Sequence, residues 1–224
     1  GILPGNKDTY NRNTLAYHGS YQPVNWFKLT SSVNFAKTNT NTVGAFQGTS
    51  VVDGMYELPR DISILDHKDL SVAFNTPTAY FTPYGITNPY WAIANNYNHN
   101  DTKQIFGKVQ ADIYPMRNVT LTYRFGYDYT DYDLKIGYPE IKVDASLINN
   151  DYGYSPTNMD HSGYVYTRYL RKYELNHDFL LNWHTQYFDK RLDVNLNAGA
   201  NICERYQTYT EGKTTGLAFD TGFW

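Results

Sequence analysis

The sequence has a single cysteine, Cys203, so neither an internal disulfide nor a cysteine-built zinc site holds it together. It has no run of 18 or more apolar residues, which excludes a transmembrane helix. It has little net charge. Its 19 basic and 22 acidic side chains leave −3 at pH 7, which gives no support for nucleic-acid binding. A phosphate-cradling glycine loop, HExxH, GxSxG and the EF-hand pattern are all missing. The six histidines, His18, His67, His99, His161, His177 and His184, show no metal-ligand spacing and read as solvated or hydrogen-bonded side chains. What the chain has in abundance is tyrosine: 23 of them raise the aromatic share to 17%. An apolar ring with a wet end suits a membrane interface and a sugar-binding surface alike.

The next feature is alternation. Over residues 119–129 the odd positions read Val119, Leu121, Tyr123, Phe125, Tyr127 and Tyr129, while the even positions read Thr120, Thr122, Arg124, Gly126 and Asp128. Side chains on a strand point to opposite faces in turn, so one face here is apolar and aromatic and the other polar. The same contrast predicts three hairpins, at about 10–37, 103–130 and 169–202, with turns near Pro23, Pro115 and Asp189. Leu180 and His177 break the pattern, and the tail from Glu204 reads as a further loop or a broken strand. Between the hairpins lie long segments, about 38–102 and 131–168, rich in tyrosine, proline, asparagine and glycine. Short turns at one end and very long loops at the other are how outer-membrane barrels are built. Tyr21, Trp26, Phe27, Tyr187 and Phe188 near the turns, and Tyr127 and Tyr129 at the far end, match the two aromatic girdles of such a barrel.

Within the first long segment, residues 61–70 read as a helical turn or two with Asp61 as candidate N-cap. A calcium site at Asp61, Asp66 and Asp69 is conceivable, but a capped turn is the preferred reading and no cofactor is expected. Tyr80, Phe81, Tyr84, Tyr90 and Trp91 are the candidate substrate-binding residues, since flat rings beside amides and hydroxyls stack on sugars or grip peptides. The competing reading is that these rings pack the loop on itself. An alternative fold is a soluble β-sandwich that binds glycans through loop aromatics. A glycosidase using Asp128 and Asp178 as acid and base is disfavoured, because nothing in the sequence brings those two together. No enzymatic activity is expected.

Residues 57–70 (ELPRDISILDHKDL) and 74–91 (FNTPTAYFTPYGITNPYW) resemble the SusC/RagA family of TonB-dependent outer-membrane transporters of Bacteroidetes. Residues 121–130 (LTYRFGYDYT) and 194–202 (VNLNAGANI) resemble barrel strands of that family. The resemblance implies an all-β antiparallel barrel of 22 strands with a plug inside it. It also implies uptake of oligosaccharides or peptides, a SusD-like surface lipoprotein as partner, TonB as the energy link and a bacterial outer-membrane location. The chain opens Gly-Ile-Leu-Pro without an initiator methionine and holds nothing readable as a plug, so residues 1–224 are expected to be a middle section of the barrel. On that reading Leu15, Val33, Phe125, Phe179 and Leu196 contact outer-membrane lipid. Arg12, Lys28, Lys108, Arg124, Asp128 and Asp178 then face the lumen or the plug. The six-stranded section by itself is expected to aggregate without detergent.

Overall fold

The computed structural model describes residues 7–43, 51–56, 58, 60–76, 88–142, 144 and 162–217. Six strands form one antiparallel sheet in sequence order: β1 (Thr9–Val24), β2 (Phe27–Thr42), β3 (Tyr97–Met116), β4 (Val119–Tyr138), β5 (Tyr164–Tyr187) and β6 (Leu192–Thr215). All six belong to a single sheet, whereas a sandwich needs two packed face to face.

The register carries the alternation of each strand across the whole sheet. Leu15 pairs with Phe35, Phe35 with Ile105, Ile105 with Tyr129, Tyr129 with Tyr173 and Tyr173 with Tyr206. Further toward the turns, Tyr21, Leu29, Ala111, Tyr123, Phe179 and Ala200 form another row on the same face. This face is open: Leu15 is 70% exposed, Leu196 59% and Ile202 61%, values a solvated core would not tolerate. On β4 the apolar stretch from Val119 to Tyr129 covers eleven residues, whose steps of about 3.3 Å make about 33 Å of strand. Tilted by about 40°, that becomes about 25 Å, the height of the lipid-facing band of a membrane barrel.

Each tight turn takes the shape its residues allow. β1 and β2 turn through Asn25 and Trp26, and β3 and β4 through Arg117 and Asn118. In both hairpins a proline, Pro23 or Pro115, lies inside the register shift just before the turn, where the ladder does without its missing donor. The last hairpin turns through Phe188, Asp189 and Lys190, all with positive φ. Neighbouring hairpins are also tied at this end, Tyr114 N to Trp26 O at 2.8 Å and His184 N to Asn118 O at 2.9 Å.

The strands run further than the alternation indicated. β2 continues to Thr42, β3 begins at Tyr97, β4 reaches Tyr138, and β5 starts at Tyr164. The tail from Glu204 is neither a loop nor a broken strand: β6 stays paired with β5 up to Thr215 opposite Tyr164. The reason is that the contrast between faces changes beyond the Tyr129 row while the backbone pairing does not. On β4, Asp131, Asp133 and Lys135 continue the face that was apolar, and Tyr132, Leu134, Ile136 and Tyr138 continue the face that was polar. Past that row the formerly apolar face turns polar while the opposite face takes up the apolar side chains. Glu204 likewise falls on the apolar face of β6 and ends its alternation.

Between β2 and β3 the chain forms a small packed unit. Helices α1 (Val51–Tyr56) and α2 (Pro89–Asn95) meet around Val43, Val51, Ala92 and Ile93. The helical turn expected at 61–70 is a 3-10 turn at Ile64–His67. Its cap is Ser63, not Asp61: the Ser63 hydroxyl accepts from Leu65 N at 3.3 Å. Asn88 is fully buried and stitches the unit together. Its Nδ2 donates to His67 O at 2.9 Å and Asn75 O at 2.8 Å, and its Oδ1 accepts from Tyr90 N at 3.0 Å. His67 Nδ1 meets Asn75 Oδ1 at 2.9 Å in the same knot. Lys7, ahead of β1, donates to Ala94 O, and its burial lowers the ammonium pKa.

Candidate functional site

The polar face of the sheet collects the charges singled out in the sequence. Arg12, Lys28, Lys108, Arg124, Asp128 and Asp178 all occupy positions on this one face. Gln110, Arg124, Asp178 and Asn201 stand in a row across four strands. Arg124 Nε donates to Gln110 Oε1 at 3.1 Å, and its guanidinium lies 3.6 Å from the Asp178 carboxylate. Asn201 Nδ2 donates to Asp178 at 2.6 Å. Gln110 Nε2 and Thr122 Oγ1 both donate to Asp112, at 3.0 and 2.6 Å. Arg205 Nε reaches Glu174 at 2.7 Å. From Asp112 across to Arg205 the charges are matched locally, so this part of the face presents dipoles and ion pairs rather than a field of one sign.

At Gly126 the row between Lys108 and Asn176 has no side chain. The space forms a depression of about 340 Å³ edged by Asn34, Phe106, Lys108, Asp128 and Glu174. Asp128 accepts from Gln104 Nε2 at 3.2 Å, and Asp178 is held by Arg124 and Asn201. In register Asp128 faces Glu174 and Asp178 faces Arg124, so the two aspartates sit at different levels with separate partners. The structure therefore does not bring Asp128 and Asp178 together. Leu180, the exception in the pattern, turns onto this face over Gly199, where an added Cβ would come 2.8 Å from Leu180 Cδ2. His177, the other exception, is satisfied on the apolar face: Tyr123 Oη and His177 Nδ1 are 2.9 Å apart.

Beyond the apolar band the polar face becomes a wall of tyrosines and cations. The Tyr138 and Tyr164 rings stack at 5.0 Å, and Lys213 Nζ lies 4.3 Å from the Tyr164 ring centre. Arg168 sits over the Tyr209 ring at 5.4 Å, and Tyr166 Oη donates to Glu211 at 2.9 Å. Burial and the adjoining Tyr164 push the Tyr138 phenol up to about 12. Each cation covers one ring face, and Tyr209 remains 56% exposed. The alternation alone does not reveal this wall, because it reads residues 131–168 as a loop and the tail from Glu204 as a further loop or a broken strand. The signal was present in Tyr132, Leu134, Ile136 and Tyr138, an alternation of opposite phase.

Of the five loop aromatics, Tyr80, Phe81 and Tyr84 lie outside the described residues. Tyr90 and Trp91 are half-buried on α2, which packs against α1. Among the described residues no group of three or more His, Cys, Asp or Glu side chains converges to hold a metal. The Asp69 carboxylate instead accepts from Ser71 N and Oγ, at 3.0 and 2.6 Å, and these bonds lower its pKa.

No family model matches the chain, and no curated protein matches it. Solved structures do. The RagAB peptide importer in its open-open state superposes with a TM-score of 0.66 at 17% identity, covering 94% of this chain and 22% of that one. The RagAB peptide transporter gives 0.63 at 16% identity, covering 93% and 22%. The closed-closed importer gives 0.61 at 16%, with the same coverage. At these identities the likeness is one of fold, and the chain spans about a fifth of the length of the structures it matches.

Proposed function

We propose that this chain is a section of the wall of a SusC/RagA-type outer-membrane importer, supplying six strands to a larger closed barrel. One observation carries the reading: an exposed apolar face about 25 Å tall, ending in a tyrosine row, backs onto a polar face with charges of both signs. Such a sheet is unstable in water and complete in a bilayer once its edges are paired. Among the described residues β1 and β6 each keep one edge without a neighbouring strand, as a section of a barrel must.

In this role the polar face lines the lumen or contacts a plug, and Tyr164 and Tyr209, backed by the buried Tyr138, meet cargo at the outer mouth. The cargo is a peptide or an oligosaccharide. The fold neighbours are peptide importers, and paired charges with intervening amides suit a peptide backbone. Import energy comes through TonB, and a SusD-like lipoprotein covers the mouth. Tyr90 and Trp91, on α2, belong to the connection between β2 and β3 on that side. The test is the full-length protein in envelope fractions, run on a denaturing gel with and without boiling. A band far larger than 25.9 kDa that changes mobility on boiling supports the barrel. A soluble species near 25.9 kDa with no heat shift removes it.

A further inference from the structure

One row beyond the Tyr129, Tyr173 and Tyr206 girdle, the outward face changes chemistry. There Lys37 of β2 and Lys103 of β3 stand directly opposite each other on adjacent strands, both exposed. Like charges at directly opposed positions destabilise a sheet unless an anion lies between them. Two carboxylates lie near the pair, Asp131 directly opposite Lys103 in register and Asp101 within the electrostatic reach of Lys37, and both make closer contacts with other groups. Asp131 is 3.5 Å from Arg171, and Asp101 meets Asn39 at 2.8 Å and His99 at 3.1 Å. Among the described residues neither lysine makes an ion pair or a side-chain hydrogen bond. The acids Asp101 and Asp133 lie one row further out, so the row bordering the apolar band carries three cations, Lys37, Lys103 and Arg171, against the single acid Asp131.

We propose that Lys37 and Lys103 clamp the phosphate of a lipid headgroup in the surrounding leaflet. The acyl chains of that lipid run down the apolar face over Phe35 and Ile105, the next residues inward on the same two strands. This rests on the barrel reading, since only that reading puts the row at headgroup depth. Two ammonium groups on Cβ atoms about 5 Å apart can share one phosphate, and the anion removes the repulsion that the bare pair carries. Lysines at this level are also long enough to reach the headgroups while their stems remain in the apolar layer.

The test uses the full-length protein in an uncharged detergent, with retained lipid counted by native mass spectrometry. The probes are phosphatidic acid and a diacylglycerol with the same chains. The wild type is expected to retain phosphatidic acid in preference to diacylglycerol. K37Q or K103Q should weaken that retention about fivefold and the double variant about thirtyfold. K37R/K103R should restore it, and K135Q, two rows further out, should leave it unchanged. A wild type that does not distinguish the two lipids, or a double variant that retains phosphatidic acid as the wild type does, overturns the clamp. Heat-dependent gel mobility is read on the same samples. If it persists while the lipid result fails, the clamp alone falls; if it is absent, the barrel reading and the clamp fall together.

Discussion

Placing an arginine at Val109 gives the sharpest test of which face meets lipid. Val109 lies on the apolar face between Ser31 of β2 and Phe125 of β4, and it is 43% exposed. Along β4, Phe125 is four residues from Tyr129 and six from Val119, about 13 and 20 Å of strand. At a tilt of about 40° the site is within a few ångströms of the midplane of the band. An arginine there is expected to cost about 2–4 kcal/mol. The matched control is Asn34→Arg on the opposite face. Asn34 borders the 340 Å³ depression, whose rim carries Asp128 and Glu174, so the new cation finds room, water and counter-charge. Its cost should stay within about 0.5 kcal/mol. The assay is a guanidinium titration of the full-length protein refolded into lipid vesicles, followed by tryptophan fluorescence. If V109R is no more destabilised than N34R, the apolar face does not contact hydrocarbon and the barrel reading is wrong.

Two further outcomes follow from local contacts. Asn88→Ala strips hydrogen bonds from the His67 and Asn75 carbonyls and from Tyr90 N, each worth about 1–3 kcal/mol when its partner is left buried. Amide exchange should accelerate over residues 64–76 and 88–95 while the strands keep their protection; uniform protection would remove Asn88 as the stitch. The Tyr138 hydroxyl is buried and has no hydrogen-bond partner among the described residues, so Tyr138→Phe should leave stability at pH 7 unchanged or raise it by up to about 1 kcal/mol. With the folded pKa near 12 and the unfolded value near 10, the neutral phenol stabilises the fold fully below about pH 10. That contribution is lost as pH rises toward 12. Y138F should therefore flatten the alkaline decline of the melting temperature, and an unaltered decline would contradict the buried phenol.

Much of the sheet was legible because its cause is local. The odd and even sets over residues 119–129 sort into opposite faces in the structure, as they do in the sequence, since pleating alone separates them. The strand ends were lost for a reason of solvent. Beyond the girdle row the apolar residues shift from outward positions to the inward positions Tyr132, Leu134, Ile136 and Tyr138, and a search for one continuous phase stops at the change. Glu204 stops it in the same way on β6, although the backbone pairing runs on to Thr215. The Ser63 cap was masked by the stronger-looking Asp61 two residues earlier.

The sequence by itself determined which side chains share a face, because a two-residue period is a property of each strand alone. Only the tertiary structure decided which residues meet across strands. Arg124 faces Asp178 and Lys37 faces Lys103 because hairpin turns and long connections set the register. A slip of one residue would have moved every side chain on a strand to the other face, and a slip of two would have kept the faces while changing every pair. Periodicity is blind to that second slip. The Tyr138, Tyr164 and Lys213 wall depends on register in the same way, since its members come from three strands and share no local pattern.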